Sequence, residues 1–392
     1  MTDAIKAAVL TSGRQDYGIL RSTMKLLSSD HKFELLLLVG GMHLSTRYGR
    51  NIKIIEEDGF IITKAFDWLE NNGRDLSIHE QTGSIIHMIG DELNRLKPDF
   101  LILVGDRYET IAAALAAVLS CIPIVHLHGG EETEGSFDNQ FRHAITKMSH
   151  LHLVSHSSHA ARIIQMGEAP GTVHIVGAPG LDNLFRDDLP SRLDLEIRLG
   201  IRLDPPVVLA TIHPVTLNSS ETSLVISSLI FAMTKVEATY VITLPNADPG
   251  NLEITKALRS WGKDRSRVFI LESLGDKDYF GMMRLADSMI GNSSSGLIEA
   301  GVYQLPVVDI GSRQKGRLRG PNVIHANPEK IAVRDSLNLA LSNEFHFRIS
   351  QTTSPYGDGK SGQRIIDVLK SWALPKTTLK VFHHKDNTLD SQ

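Results

Sequence analysis

Short, unbroken apolar runs recur along this chain. Each is trailed by a polar loop and then by a stretch in which apolar side chains return every three to four positions. Ala4 to Leu10, Phe33 to Val39, Phe60 to Ala65, Phe100 to Val104, Pro123 to Leu127 and Leu151 to Val154 read as strands. Between them Ile19 to Leu27, Ile52 to Asp58, Ile85 to Lys97, Tyr108 to Ser120 and Gln140 to Met148 carry helical periodicity. A strand that is apolar at every position is buried on both faces, which is the habit of parallel sheets. The alternation therefore predicts an α/β chain with a doubly wound parallel sheet.

Around Gly177-Ala178-Pro179-Gly180 and from Asp187 to Pro190 the texture turns loop-like, and the rhythm then restarts. Strands are expected at Val207 to Thr211, Tyr240 to Leu244, Val268 to Leu271, Ser288 to Ile290 and Val307 to Ile310, with helices between. A last helix, Ile365 to Trp372, follows the turn Tyr356-Gly357-Asp358-Gly359. A chain of 392 residues exceeds one ordinary core. The expected division is two Rossmann-like domains, residues 1–180 and 181–355, then the final helix in 356–375 and a polar, fraying tail in 376–392. No repeat of solenoid period is visible.

Composition narrows the partners. Lys plus Arg (41) against Asp plus Glu (45) gives a net charge of −4, which argues against nucleic acid or an anionic membrane. A single cysteine, Cys121, leaves no internal disulfide and suits a reducing cytoplasm. The start shows no basic segment followed by a long apolar stretch, so no signal peptide is expected, and Leu35 to Val39 is too short to span a bilayer. The expectation is a cytoplasmic protein.

The groups able to do chemistry cluster just after strands, where doubly wound sheets keep their ligands. Gly291-Asn292-Ser293-Ser294-Ser295-Gly296 follows an apolar run and precedes Leu297 to Tyr303, read as a helix. Glycines permit a tight turn and close approach, while serine hydroxyls and the N–H groups of a helix start form a seat for phosphate. The plain alternative is a small-residue turn with serine as N-cap. Glu299 cannot hold phosphate, but its carboxylate suits the two hydroxyls of a ribose. Ile310 to Gly320 is glycine-punctuated and basic, either an exposed turn or a source of cations, Arg313 and Arg317 among them, for a diphosphate.

In the first half, Asp106 and Arg107 open a helix either with Asp106 as its N-cap or as a carboxylate and a cation set into the cleft together. His126 and His128 would face the same way on a strand, but a metal site lacks a third ligand nearby. The following loop carries Glu131, Glu132 and Glu134, then Asp138, which lies one helical turn from Arg142. That pair reads as a surface salt bridge or as site chemistry. In the second half Pro214 fixes His213 at a strand mouth, a position suited to a general acid or base. Pro245-Asn246-Ala247-Asp248 forms another rim loop, and Asp276-Lys277-Asp278, superficially a metal–nucleotide motif, reads better as a solvated helix start.

Seven motifs, in order, carry a resemblance: Ser12-Gly13-Arg14-Gln15-Asp16-Tyr17-Gly18, Gly105-Asp106-Arg107-Tyr108-Glu109, His126-Leu127-His128-Gly129-Gly130-Glu131, Arg142-His143-Ala144-Ile145-Thr146-Lys147, His213-Pro214-Val215-Thr216, Gly291 to Glu299, and Arg313-Gln314-Lys315-Gly316-Arg317. From near residue 5 to about residue 372 the chain resembles the hydrolysing UDP-N-acetylglucosamine 2-epimerases of sialic and legionaminic acid synthesis. The resemblance implies a glycosyltransferase-B type fold, with the final helix crossing back onto the first domain. It implies a UDP-sugar substrate, no metal or other cofactor, and a homodimer or homotetramer. Arg14, Asp16, Asn246, Ser293, Ser294, Glu299, Arg313 and Arg317 would serve UDP, and Asp106, Asp138, Arg142 and His213 would act around the sugar. Many relatives carry a catalytic Glu three positions before Glu131, where this chain has His128, so the role falls to either His128 or Glu131.

The implied reaction is anti elimination of UDP to 2-acetamidoglucal, then syn hydration to N-acetylmannosamine. Because a C2–H is weakly acidic, cleavage of the C1–O bond must lead, and stabilising the departing diphosphate is the largest task. The same chemistry on UDP-2,4-diacetamido-2,4,6-trideoxyglucose, a glycosyltransferase on the same fold and an idle nucleotide-sugar sensor are the competing readings.

Overall fold

In β1 (Ile5–Thr11) successive side chains enter two different cores. Ala7 and Val9 join Phe100 and Ile102 on one face, while Ala8 and Leu10 join Leu101 and Leu103 on the other. A period of two with both faces buried is why these strands are apolar throughout. The computed structural model describes residues 4–46, 50–71, 73–132, 138–215, 219–245 and 251–384.

Contacts divide the chain into two compact units, Met1–Asn183 with Gly359–Gln392, and Leu184–Asp358. In the first unit β1 is joined by β2 (Phe33–Gly40), β3 (Ile62–Phe66), the small antiparallel pair β4 (Glu70–Asn71) and β5 (Arg74–Asp75), β6 (Phe100–Val104), β7 (Ile124–Leu127), β8 (Leu151–Val154) and β9 (Val173–Ile175). Its seven-stranded parallel sheet runs β3-β2-β1-β6-β7-β8-β9. Helices α1 (Arg14–Ser29), α2 (Ile52–Glu57), α3 (Ile78–Leu96), α4 (Tyr108–Leu119), α5 (Asp138–Met148) and α6 (Ser157–Gln165) connect the strands.

The second unit holds a six-stranded parallel sheet in which β12 (Val268–Leu271), β11 (Thr239–Thr243), β10 (Val207–Thr211), β13 (Ser288–Gly291), β14 (Val307–Ile310) and β15 (Val323–Ala326) lie side by side in that order. Its helices are α7 (Arg192–Leu199), α8 (Ser219–Lys235), α9 (Asn251–Gly262), α10 (Gly275–Leu285), α11 (Ser294–Ile298), α12 (Lys330–Ala340) and α13 (Asn343–Ile349). Helix α14 (Ser361–Ser371) belongs to the first unit, where Ile365, Ile366 and Leu369 enter the core and Trp372 meets Phe100 edge-on at 5.7 Å. Among the described residues no helix is long and apolar enough to cross a membrane.

Departures from the sequence reading have local causes. Helix α3 begins at Ile78 rather than Ile85, because Ser77 and Glu80 form a reciprocal capping box, with Ser77 N donating to Glu80 Oε2 at 2.9 Å. The helix expected from Leu297 instead starts at Ser294 and ends at Ile298, with a separate 3₁₀ turn at Ala300–Tyr303. Edge strands β9 and β15 escaped notice because each is short and only partly buried. Helix α14 starts four residues early, capped by Asp182, which accepts from Ser361 N at 2.9 Å and Gly362 N at 2.7 Å. The tail does not fray at once. Through His384 it lies on the first unit, with Lys380 paired to Glu168 at 2.7 Å.

Candidate active site

Behind the carboxyl ends of β6 and β7, the first unit gathers His128, Asp106, Glu131, Asp138 and Arg142. Gly105, at φ +77°, turns the chain so that Asp106 follows the strand mouth. The cap of α4 is Arg107, without a side-chain bond, so Asp106 is not the helix cap. Nor is Arg107 its partner, since that guanidinium grips the buried Glu109 at 2.7 and 3.1 Å. Asp106 instead accepts a hydrogen bond from Arg142, which is 6% exposed and therefore no surface salt-bridge residue. Burial pushes the Asp106 carboxyl up; Arg142 opposes that, and the charges of Asp138 and Glu131 add to it. Asp138 is the first residue of α5, with Arg142 one turn on.

His126 lies wholly buried in β7, where Nε2 donates to Gly105 O at 2.8 Å and Nδ1 faces Thr146 Oγ1 at 3.4 Å. Burial holds it neutral, down to about 3. His128 sits past the strand end at φ +61° and turns a different way. Its Nδ1 meets Glu131 Oε1 at 2.7 Å, and that oxygen also accepts from Ser155 Oγ at 2.9 Å. Burial disfavours charge on Glu131, yet His128 and then His159 and Ser155 outweigh it and hold the carboxyl down to about 2. His128 Nε2 is enclosed and without a hydrogen-bond partner. Gly130, at φ +73°, is required here: a Cβ would stand 2.5 Å from His159 O. Glu132 pairs with Arg162 at 3.1 Å on the surface.

Arg14 opens α1 as an exposed side chain. Asp16 is spent on the same loop, accepting from Ser12 N at 2.6 Å, Ser12 Oγ at 2.9 Å and Gly13 N at 2.9 Å. Burial raises its carboxyl. It shapes the turn that presents Arg14.

The second unit builds a different kind of strand mouth. Gly291, at φ +144°, ends β13 so close to β10 that a Cβ would lie 1.9 Å from Thr211 O. Asn292 then binds the loop after β10: its Oδ1 accepts from His213 N at 2.7 Å, and its Nδ2 donates to His213 O at 2.9 Å. Its own carbonyl accepts from Arg313 Nη1 at 3.1 Å and Gln314 Nε2 at 2.8 Å. This one buried asparagine therefore fixes His213 through its side chain and Arg313 through its backbone carbonyl. Ser293 caps α11 with its Oγ on Ser295 N at 3.4 Å, so the plain N-cap reading of this serine holds locally. Glu299 closes α11; burial pushes its carboxyl up to about 7 against the pull of Arg317, and its Oε2 is enclosed with no partner. Asp276-Lys277-Asp278 opens α10 as a structural start, Asp278 pairing with Arg198 and Lys277 with Asp188, each at 3.1 Å. Asn246 and residues 133–137 of the glutamate-rich loop lie outside the described residues.

Residues 25–370 match the profile of the family described as UDP-N-acetylglucosamine 2-epimerase. The chain belongs to the UDP-N-acetylglucosamine 2-epimerase family. It is 35% identical to the polysialic acid biosynthesis protein P7 of Escherichia coli, over 95% of both chains. It is 36% identical to the GDP/UDP-N,N'-diacetylbacillosamine 2-epimerase (hydrolyzing) of Campylobacter jejuni, over 81% of this chain and 83% of that one. The fold matches the crystal structure of the Neisseria meningitidis UDP-GlcNAc 2-epimerase bound to UDP-GlcNAc, with a TM-score of 0.80 at 17% identity, covering 94% of this chain and 100% of that one.

Within this family member three further residues support the sites without having been singled out beforehand. His43 is buried under the loop after β1, bonded to Thr11 Oγ1 at 2.9 Å and pushed down to about 4 by burial. Tyr279 of α10 lies behind the serine turn, its hydroxyl 3.4 Å from Thr211 Oγ1. Asn292 was visible as a residue of the serine turn, but an asparagine gives no sign that both its amide atoms are claimed by a loop 79 positions away.

Proposed function

We propose that this epimerase is of the hydrolysing kind and releases UDP and a free 2-epimeric acetamido sugar from a UDP-2-acetamido sugar and water. UDP-N-acetylglucosamine, giving N-acetylmannosamine, is the first substrate assigned. The observation that carries the reading is the cluster at β6 and β7, where Asp106, raised by burial, stands near anionic Glu131 and Asp138 while His128 keeps an unengaged Nε2. Elimination followed by hydration needs a group to take the C2 proton and another to return one to the opposite face. His128, held by Glu131 and with its Nε2 unengaged, is assigned as the base, and Asp106, whose carboxyl burial raises, as the group that returns the proton. Arg142 sets the position of Asp106, and Asp138 shares the sugar side.

UDP is assigned to the serine turn, with the diphosphate on Ser293, Ser294, Arg313 and Arg317 and the ribose on Glu299. Arg14, presented by Asp16, adds a cation to the leaving group, and His213, held at the mouth of β10 by Asn292, acts around the sugar. Fixed donors and cations lower the barrier most where charge develops, on the departing diphosphate. The C1–O bond breaks with its electron pair going to UDP as the C2–H pair forms the glycal double bond. Water then adds its oxygen at C1 and a proton goes to C2, so atoms balance without a redox partner.

A second substrate has its own support. Relatives named for N,N'-diacetylbacillosamine are 36% and 34% identical, against 30% for the UDP-N-acetylglucosamine 2-epimerase of Neisseria meningitidis. Incubation in D2O with each sugar nucleotide, followed by NMR, separates the cases. Free UDP with a C2-deuterated 2-epimer is expected. A 2-epimer still attached to UDP would make the enzyme non-hydrolysing, and two unchanged sugar nucleotides would end the proposal.

A further inference from the structure

The polar end of the chain is held at a specific place. Glu168, 5% exposed at its side chain, accepts from Lys147 at 2.6 Å, Lys380 at 2.7 Å and His152 at 3.0 Å. Lys380 also donates to Lys147 O at 2.9 Å and to Thr146 O at 3.4 Å, carbonyls in the last turn of α5, where Thr146 O accepts as well from Ser149 N at 3.1 Å. Two more contacts anchor the same segment. His150 Nε2 donates to Thr378 O at 3.1 Å, and His383 N donates to Gly167 O at 2.9 Å. Phe382 covers Gly167, where a Cβ would lie 2.2 Å from its ring and φ is +87°. Lys147 Nζ stands 5.0 Å over the centroid of that ring.

We propose that residues 377–384 are a strap whose Lys380 positions α5, and through it Arg142 and Asp106, for the acid/base step. The inference rests on the proposed function for its catalytic readout alone. Helix α5 has 11 residues, about 16 Å end to end, and its two ends do different things. The last turn is capped by Lys380 and tied to Glu168. The first turns bear Asp138 and Arg142, the latter bonded to Asp106. Thr146, whose carbonyl Lys380 caps, also faces His126, and His126 holds the carbonyl of Gly105, next to Asp106. A second arm runs through His152, which pairs in register with His126 across β7 and β8. Lys380 touches no candidate substrate group, so it is a positioning residue.

The test compares the full chain with a form ending at Lys376 and with Lys380→Met and Lys380→Arg. Loss of the cap is expected to lower kcat about tenfold with KM and UDP affinity unchanged, because a small misplacement acts on the reacting geometry and not on the nucleotide seat. Amide hydrogen exchange over residues 140–148 should quicken in the shortened chain and in Lys380→Met. Lys380→Arg, which can still cap and pair, should restore both. Unchanged exchange in α5 of Lys380→Met overturns the strap, as does wild-type kcat or a loss confined to KM. If the full chain releases no UDP from either sugar nucleotide, the functional reading fails, and exchange in α5 alone then decides the strap.

Discussion

The two sheets end in opposite ways. At the mouths of β6 and β7 the first unit gathers acids and bases that answer one another: Arg142 with Asp106, His128 with Glu131, Arg107 with Glu109. At the mouths of β10 and β13 the second unit uses a glycine, an asparagine and serines, with a single raised carboxyl at Glu299. Mutually compensated acids and bases keep their geometry while a proton moves, which suits chemistry. Backbone held by a neutral amide leaves N–H groups, hydroxyls and guanidiniums to meet an anion, which suits binding. On the proposed reading, equivalent positions on one fold type divide the work by the side chains placed after the strands.

The largest expected effect separates the halves. Asp106→Asn should cut turnover about 10³-fold, within the range of losing one acid/base group, while UDP affinity measured by calorimetry stays within about twofold. A comparable fall in UDP affinity would show that the first unit binds rather than reacts. Asn292→Ala should do the reverse of a clean active-site change. It strands His213 N and O, while the backbone carbonyl of residue 292 still accepts from Arg313 and Gln314, at a cost of about 2–3 kcal/mol in the stability of the second unit, read from denaturant unfolding. An unaltered midpoint would mean water replaces the amide without loss.

Glu299→Gln should weaken UDP binding about tenfold, since a carboxylate pairing with two ribose hydroxyls gives way to a neutral amide. The sign of the pH effect follows from its raised carboxyl. The stability a protonated Glu299 contributes is complete below pH 4.5 and is lost as pH rises through about 7. Ribose hydroxyls favour the ionised form, so UDP should bind more tightly as pH rises through 7 and should expel a proton near pH 6. Calorimetry in buffers of different ionisation enthalpy reads that proton, and its persistence in Glu299→Gln would falsify the assignment of Glu299 to the ribose. Smallest of all, Glu132→Gln should leave turnover within about twofold, because its pair with Arg162 is a surface one.

The sheets were legible because a parallel strand buried on both faces must be apolar at every position, as Phe100 to Val104 and Val207 to Thr211 are. The gathering of polar groups at the strand mouths was legible too, since residues after such strands leave the apolar core. What Asp106 and Arg107 share as neighbours was misleading. Their partners, Arg142 and Glu109, are chosen by how α5 and α4 pack, and the order of residues does not encode that.

Sequence by itself determined the strand–loop–helix rhythm, the placing of glycines where the backbone must turn at positive φ, and the types of charged group at each strand mouth. Only tertiary structure decided that Asp182 caps α14, that Asn292 clasps His213, that Ser155 joins Glu131, and that Lys380 closes α5. Hydrophobic periodicity is a property of neighbours along the chain. A hydrogen bond between residues tens or hundreds of positions apart exists only after the apolar faces have packed and left those two groups no water to bond instead.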